Sequence, residues 1–241
     1  MPHVHFVLQG KGGVGKSFVA SLLQQHFLAS GAAVRGIDTD PVNATFASYK
    51  AFNATHLQIM KDNEFVPTEF DTLSEWILEA EQDSVFVIDN GAATFVPLCA
   101  YLVENDLISF LKEQDIQVTL HTVLTGGQAL DDTIDGLKSL FDHFPETQIC
   151  VWINEYFGRP EKNGKSFEES KLYKDNIDHI HGLIRIRKAT EGTFGKDLEQ
   201  MLNNKLTFDE AIASPDFRVM AKQRLKTTWR DLNSQISALQ F

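Results

Sequence analysis

Cysteine and long apolar runs are both scarce in this sequence. Its 241 residues include two cysteines, Cys99 and Cys150, each in apolar surroundings, and no C-x-x-C pair, so we do not expect an iron–sulfur carrier. No apolar run approaches the roughly 20 residues that a transmembrane helix needs. Residues 1–3 lead directly into an apolar run, without the charged and apolar regions of a signal peptide. We therefore expect a cytoplasmic protein with reduced thiols.

The sequence also contains fewer basic than acidic residues. Lysine and arginine number 22 against 33 aspartate and glutamate residues, which gives a formal charge of -11 at pH 7. Most of the surface would repel phosphate, so general adhesion to nucleic acid or anionic lipid is not expected. A local concentration of basic residues occurs near the C-terminus, at Arg218, Lys222, Arg224, Lys226 and Arg230. Since no helix-turn-helix pattern is recognisable, contact with DNA has only weak support.

Apolar residues in that C-terminal stretch recur at steps of three and four. They are Leu225, Trp229, Leu232, Ile236 and Leu239. This spacing predicts an amphipathic helix at about residues 216–239. Because such stripes are ordinary core faces, we expect the helix to pack against the rest of the domain or a second subunit, and not to act at a membrane.

Short apolar runs alternate along the chain with longer segments of helical period. The runs are Val34–Ile37, Val85–Ile88, Val118–Leu124, Ile149–Ile153 and Leu183–Ile186. The alternation predicts an α/β fold of three layers, a mostly parallel sheet with helices on both faces. No repeat or flexible linker is visible, so we predict one domain over residues 1–241. Polar residues and glycines follow several runs, where open sheets of this kind bind their ligands.

Residues Gly10 to Ser17 match the phosphate-binding P-loop pattern, G-x-x-x-x-G-K-[ST]. An apolar run precedes the pattern and a helical pattern follows it, which is the strand, loop and helix context that the motif requires. Glycines let the backbone N–H groups turn inward toward phosphate oxygens at the start of the helix. Lys16 would neutralise the β and γ phosphates, and the Ser17 hydroxyl would ligate Mg²⁺. We predict that the protein binds a nucleoside triphosphate.

Aspartates end two of the apolar runs. Asp89 follows Val85–Ile88, where P-loop proteins place the acid that holds the hydration shell of Mg²⁺. Asp38 and Asp40 follow an earlier run, where two acids could support the metal and position the attacking water. Structural interpretations stay open beside these, because aspartate is a common turn former and Asp40 before Pro41 would also cap a following helix.

These three motifs together resemble the deviant Walker A ATPases, the family of the ParA and MinD proteins, whose domain has the P-loop NTPase fold. More narrowly, five segments are similar to the TraL proteins of plasmid conjugation, and the likeness extends over nearly the whole chain. The segments are residues 8–13, 37–46, 87–92, 121–130 and 164–168. The resemblance implies an Mg²⁺-dependent ATPase that switches between a monomer and an ATP-bound homodimer and acts on a protein partner.

Roles for single residues follow from the resemblance. Lys11 would be the signature lysine that reaches across the dimer to the partner's phosphates, as an arginine finger does. Asp40 would orient the hydrolytic water or accept its proton, with Asp38 nearer the metal and Asp89 holding it through water. Asn154 matches the position that contacts adenine in the family, and the lack of an N-K-x-D motif favours ATP over GTP. The implied nucleotide-binding set is Gly10, Lys11, Gly12, Gly13, Val14, Gly15, Lys16, Ser17, Phe18, Gly91 and Asn154.

Two positions depart from the family pattern. Phe18 replaces a second hydroxyl residue and removes an α-phosphate contact. The Asn90-Gly91-Ala92 segment lacks the proline of many relatives, which weakens the case for sensing of the γ-phosphate by Gly91. Other function classes stay open at this point: a phosphotransferase or ligase acting on a small metabolite, and a nucleotide-dependent scaffold with little hydrolysis. Residues 155–165 are interpreted as an exposed loop, either an ordinary connection or an element that binds a partner.

Overall fold

Seven strands form the central sheet of this computed structural model, which describes residues 1–61, 64–188 and 194–241. The strand order is β3-β2-β6-β1-β7-β8-β9, and every neighbouring pair is parallel. A separate antiparallel pair joins β4 to β5. The strands are β1 (His3–Val7), β2 (Ala33–Asp38), β3 (Thr55–His56), β4 (Met60–Lys61), β5 (Glu64–Phe65), β6 (Ser84–Asp89), β7 (Gln117–Thr125), β8 (Gln148–Asn154) and β9 (Ile180–Ile186).

Helices cover both faces of the sheet, as the sequence predicts. They are α1 (Lys16–Ala29), α2 (Pro67–Leu78), α3 (Phe95–Glu104), α4 (Leu107–Glu113), α5 (Leu130–His143), α6 (Lys171–Asp175), α7 (Phe194–Asn203), α8 (Phe208–Ala213) and α9 (Val219–Ala238). One apolar core contains residues of α2 to α5, and a second contains residues of α1 and α7 to α9. Successive strand side chains point to opposite faces, so in β8 Ile149, Val151 and Ile153 join the first core whereas Cys150 and Trp152 join the second.

The C-terminal helix α9 lies where the apolar stripe predicts it. Leu225, Leu232 and Ile236 are buried in the second core, and the Trp229 ring stacks on Phe208 at 5.4 Å between centroids. In this structure the stripe is therefore a core face of the domain. Within the described ranges no single helix has both the length and the apolar composition to cross a bilayer. One bent pair, Ala92–Glu104 with Leu107–Glu113, meets those two measures when taken together.

A buried histidine pair lies between the sheet and α1. The indole N–H of Trp152 donates to His121 Nδ1 at 3.0 Å, so the proton of His121 is on Nε2 and is donated to His5 Nδ1 at 2.9 Å. Burial, followed by neighbouring histidines, lowers the pKa of both rings well below the usual histidine value. These histidines are structural. In the part of the chain that the structure describes, no group of three or more His, Cys, Asp and Glu side chains is arranged to hold a metal ion.

Candidate nucleotide-binding site

The polar ends of the central strands meet at one edge of the sheet. Asp38 at the end of β2 is in register with Asp89 at the end of β6, and the P-loop follows β1 beside them. A cavity of about 520 Å³ opens at this edge. Its lining includes seven of the predicted site residues, which are Gly12, Gly13, Gly15, Lys16, Ser17, Phe18 and Asp40. The sheet thus brings together segments that are distant in sequence, as the α/β interpretation requires.

The P-loop depends on two glycines in the left-handed region. Gly13 has φ 75° and Gly15 has φ 105°, values that other residues adopt only with strain. A Cβ on Gly15 would also lie 2.9 Å from the side-chain nitrogen of Asn154. That nitrogen donates to the Val14 carbonyl at 2.9 Å, and the Asn154 side-chain oxygen accepts from Tyr156 N–H at 3.1 Å. Asn154 is 5% exposed and fastens the end of β8 to the loop.

Asn154 therefore has a contact in this structure that the sequence does not reveal. The resemblance assigns the residue to adenine, and that assignment stays a prediction. The hydrogen bonds give it a supporting role that acts whether or not a base is bound, because it holds Val14 between the two glycines of positive φ. Loss of this buried donor would leave a carbonyl of the phosphate-binding loop without its partner.

Gln9 is a second support of the loop that sequence reasoning missed. Its side-chain nitrogen reaches the Val123 carbonyl at 3.1 Å and the Thr133 carbonyl at 3.2 Å, and Gln9 is fully buried. It ties the P-loop to β7 and α5. Gly136 in α5 makes this approach possible, since a Cβ there would lie 2.1 Å from the Gln9 side-chain oxygen. The feature of the sequence that could have indicated this supporting role is a polar residue directly before the first P-loop glycine.

The ammonium group of Lys16 lies within the loop. Its Nζ donates to the carbonyl of Lys11 at 3.0 Å, and the residue is 7% exposed. Burial lowers the pKa of Lys16, while the charges of Asp89 and Asp40 act in the opposite direction. The lysine is thus held close to two acids at the edge of the sheet, and among the described residues the Lys11 carbonyl oxygen is the hydrogen-bond partner of its ammonium group.

Asp89 is buried without a hydrogen-bond partner. Asp89 is 1% exposed, and neither of its carboxylate oxygens accepts a hydrogen bond of normal geometry from the described residues. The Ser17 hydroxyl is nevertheless near enough to lower the pKa of Asp89. Burial dominates and raises the pKa of Asp89 to about 8, with smaller contributions of the same sign from Asp38 and Asp40 and an opposing one from Lys16. Unsatisfied buried carboxylates are costly and are found chiefly at functional sites.

The two acids after β2 have different surroundings. Asp38 is fully buried, and its carboxylate oxygens accept N–H bonds from Asp40 at 3.0 Å and Ala47 at 2.9 Å. Burial raises the pKa of Asp38, and these two hydrogen bonds oppose the shift. Asp38 therefore braces the turn after β2. Its role in holding Mg²⁺ stays a prediction.

Asp40 lines the cavity and also packs on the loop after β6. One of its oxygens accepts N–H bonds from Val42 at 2.9 Å and Asn43 at 3.1 Å. Only glycine fits opposite it, because a Cβ on Gly91 would lie 2.9 Å from the Asp40 carboxyl carbon. Asp40 lines the cavity, but the predicted capping role is wrong: no helix begins near Val42 in the described range 1–61, and the two hydrogen bonds close a turn instead. Movement of either loop would displace the other.

Lys11 does not line the cavity. Its ammonium pairs with Asp132 in the first turn of α5 at 2.7 Å, and the two side chains are 43% and 55% exposed. The predicted cross-subunit lysine is therefore held by its own subunit, on the outer side of the P-loop. Any contact with a partner's phosphates requires that this ion pair open first.

A smaller cavity of about 200 Å³ adjoins the first and shares Gly13, Gly15, Phe18 and Leu202 with it. Aromatic and aliphatic side chains of Phe18, Tyr156 and Leu198 line it, with Asn154 at its end. Apolar side chains beside the P-loop suit a nucleotide, since a base stacks on flat apolar surfaces. Phe18 lies between the two cavities. We predict that the Phe18 ring contacts a bound nucleotide from this position, where the family pattern has a hydroxyl residue.

Comparison with known proteins agrees with the motifs. A family model described as the CobQ/CobB/MinD/ParA nucleotide binding domain matches residues 5–207. Two Escherichia coli proteins, each called Protein TraL, are similar over nearly their full length: one is 46% identical over 239 residues, covering 99% of this chain and 98% of its own. The other is 44% identical over 237 residues, with 98% of both chains covered. The solved structure of the MinD cell division protein of Aquifex aeolicus has a TM-score of 0.50 at 14% identity, covering 96% of this chain and 97% of its own, which shows a shared fold.

Proposed function

The chain belongs to the CobQ/CobB/MinD/ParA family of nucleotide-binding domains, and we propose that it is a cytoplasmic, Mg²⁺-dependent ATPase with slow turnover. In this proposal ATP binding converts a monomer into a homodimer, and the dimer positions a protein partner in plasmid conjugal transfer, partition or positioning. Similarity to the two TraL proteins over nearly the whole chain supports the plasmid context. The acidic balance of the chain leaves DNA contact weakly supported, and no membrane role is proposed.

The observation that carries the proposal is the unpartnered carboxylate of Asp89. It lies next to the Ser17 hydroxyl and within electrostatic range of Lys16, at the end of a strand beside the P-loop. Oxygen donors of this kind fit a hydrated Mg²⁺ ion, which prefers carboxylates, hydroxyls and water. When bound, the ion would neutralise charge on the phosphate oxygens. Asp89 and Ser17 are the residues that would hold it.

The chain's own groups supply the remaining requirements. Backbone N–H groups of the P-loop point toward the phosphates at the start of α1. Lys16 exchanges its carbonyl partner for phosphate oxygens, which are stronger acceptors because they are charged. Asp40, at the rim of the cavity, orients the attacking water and takes up its proton. Gly91 allows the loop after β6 to lie against Asp40 and to respond to the γ-phosphate.

In this proposal Lys11 contributes to dimerisation by changing its ion-pair partner. Its exposed ion pair with Asp132 contributes at most about 1 kcal/mol, because both side chains remain in contact with water. A partner's phosphate oxygens offer more negative charge in a less solvated setting. Lys11 therefore leaves Asp132 when a second ATP-bound subunit is opposite, and returns after hydrolysis.

One observation favours a second candidate, the nucleotide-dependent scaffold with little hydrolysis. An oxygen of Asp40 already accepts two backbone N–H bonds, which restricts the freedom of this side chain to move toward a water molecule. In a scaffold, Asp40 would only shape the loop, and the γ-phosphate would still control assembly. A phosphotransferase would differ from both candidates in requiring a small acceptor molecule.

Sedimentation velocity together with phosphate release separates these possibilities. We expect the wild type to dimerise with Mg²⁺ and ATP but not with ADP, and Asp40→Ala to remain dimeric because it cannot hydrolyse ATP. Lys16→Ala should bind no nucleotide, and Asp135→Asn, an exposed change on α5, should behave as the wild type. Normal phosphate release by Asp40→Ala would remove its catalytic role. An oligomeric state that ignores the γ-phosphate would reject the switch.

A further inference from the structure

A small apolar pocket lies between α5 and the chain that follows β8, outside the nucleotide site. Buried Leu124, Pro160 and Phe167 line it together with the half-buried side chains of Ile134 and Leu172. Three exposed lysines surround this apolar lining, Lys138, Lys162 and Lys165. We call these eight residues the lysine groove. None of them lines either of the two cavities at the P-loop.

The volume of the lysine groove limits what it can hold. At about 280 Å³ it is smaller than most pockets for drug-sized ligands or cofactors, which run from roughly 300 to 1,000 Å³. It has room for one large aliphatic or aromatic side chain. Pockets of this size at protein interfaces receive single anchor residues that carry much of the binding energy.

Three lysines lie around the apolar pocket, and each has an acidic side chain near it. Lys138 pairs with Asp135 at 3.1 Å and Lys162 with Asp131 at 2.5 Å, but all four side chains are at least half exposed. Lys165 has no ion-pair partner in the described ranges. Exposed pairs of this kind exchange partners at little cost. Three ammonium groups around an apolar pocket, in a chain with a formal charge of -11, are complementary to an acidic ligand.

The groove is held in shape before anything binds. Lys162 and Lys165 exchange backbone hydrogen bonds at 3.0 and 3.1 Å, and a capping box joins Ser166 to Glu169. Where this loop returns to β7 there is no space to shift, because a Cβ on Gly126 would lie 2.4 Å from the Arg159 carbonyl oxygen. Preorganisation reduces the entropy lost on binding.

From these observations we propose that the lysine groove binds an acidic peptide segment of a partner protein, which inserts one large apolar side chain into the pocket. Carboxylates on either side of the anchor pair with Lys138, Lys162 and Lys165. The inference rests on the proposed function only in that the partner is a protein. Its test needs no nucleotide, so failure of the ATP switch and failure of the groove are distinguishable.

The probe is a displayed library of random twelve-residue peptides, selected on the full-length wild-type protein without nucleotide. The double variant Lys138→Glu/Lys165→Glu takes no part in the selection, so that its affinity for the enriched peptides is an independent test. We expect the enriched sequences to carry several Asp or Glu residues around one Leu, Ile, Phe or Trp. Synthetic fluorescent copies are then titrated by anisotropy at low and physiological salt, because charge pairing at an exposed rim weakens with ionic strength.

The variant lysines are exposed, so folding should be unaffected, and circular dichroism verifies this. We expect the double variant to lose at least about tenfold in peptide affinity, and replacement of the peptide's apolar anchor by alanine to lose a similar factor. Lys226→Glu/Arg230→Glu, which makes the same charge change at exposed positions of α9, should bind within about twofold of wild type.

Three results would overturn the proposal. The enriched peptides could lack acidic residues or an apolar anchor. The double variant could bind them as tightly as the α9 control does. Sedimentation could show that the wild type associates with itself through the groove and that Lys138→Glu/Lys165→Glu abolishes this, in which case the occupant is a second copy of the chain.

Discussion

The burial of Asp89 has a consequence for stability that can be measured without nucleotide. Its pKa is raised to about 8, chiefly by burial, whereas an unfolded chain has an ordinary aspartate pKa near 3.9. Between these values the folded state keeps a proton that the unfolded state has released. Because the unfolded state binds fewer protons there, the free energy of unfolding falls as pH rises from about 4 to about 8. Above that window the penalty is constant, and below it the penalty vanishes.

Asp89→Asn removes the titrating group and keeps the shape of the side chain. In wild type this one carboxyl should lower the free energy of unfolding by about 1.4 kcal/mol per pH unit inside the window, or roughly 2–3 kcal/mol between pH 5 and pH 7. Water entry or a shift of the Lys16 ammonium would reduce that value. We therefore expect the variant to gain about 1–3 kcal/mol relative to wild type over this interval.

Urea unfolding followed by circular dichroism at several pH values, with EDTA present, measures this difference. Asp135→Asn, an exposed carboxyl on α5, is the matched control and should run parallel to wild type. Mg²⁺ with ADP should then stabilise wild type but not Asp89→Asn, since the variant lacks the charge that the ion requires. If wild type and Asp89→Asn keep a constant difference from pH 5 to pH 8, the carboxyl is not desolvated as described.

Three further outcomes are expected. Asp132→Asn should free Lys11 and shift the ATP-dependent monomer–dimer equilibrium toward the dimer, by up to about fivefold for each of the two ion pairs that open, at most ~1 kcal/mol each. An unchanged sedimentation profile would show that the ion pair does not restrain dimerisation. Gly136→Ala should destabilise the protein by about 1–3 kcal/mol in urea unfolding, because the new methyl would displace Gln9; wild-type stability would show that Gln9 moves freely. Burial, followed by the charge of His181, lowers the pKa of His3 to about 4. Acidification from pH 6.5 to pH 4 should therefore lower the free energy of unfolding of the wild type. If His3→Gln loses as much stability over the same range, the loss does not come from His3.

The sequence predicted the sheet well because local signals determine it. Short buried runs ending in polar residues place the strands, and the P-loop pattern places the first turn and helix. The side-chain contacts inside the site could not be predicted in this way. The contacts of Lys11 with Asp132 and of Asn154 with Val14 join residues more than a hundred positions apart, and no periodicity in the chain encodes them. Such contacts depend on tertiary packing, which a single sequence does not reveal.

The supports of the loop were harder to predict than its own residues for a further reason. Gln9 is a polar residue at a strand end, a position that turn formers and solvated side chains also occupy. Its function becomes visible only with Gly136, a glycine inside a helix. A sequence reading treats that glycine as a weak point, whereas the structure shows that the close approach of Gln9 requires it.

Two free energies in the site differ enough to rank the steps of the proposed switch. Forming the charged state of Asp89 costs several kcal/mol in the folded chain, a cost that a bound cation offsets directly. Opening the Lys11–Asp132 pair costs at most about 1 kcal/mol, which thermal motion supplies readily. In the proposed switch the metal and nucleotide would therefore control whether the site is assembled, and the lysine would add only a small barrier to dimerisation afterwards. A subunit with this balance does not dimerise through Lys11 alone, because the free energy gained there depends on phosphate already held by the P-loop of the opposite subunit.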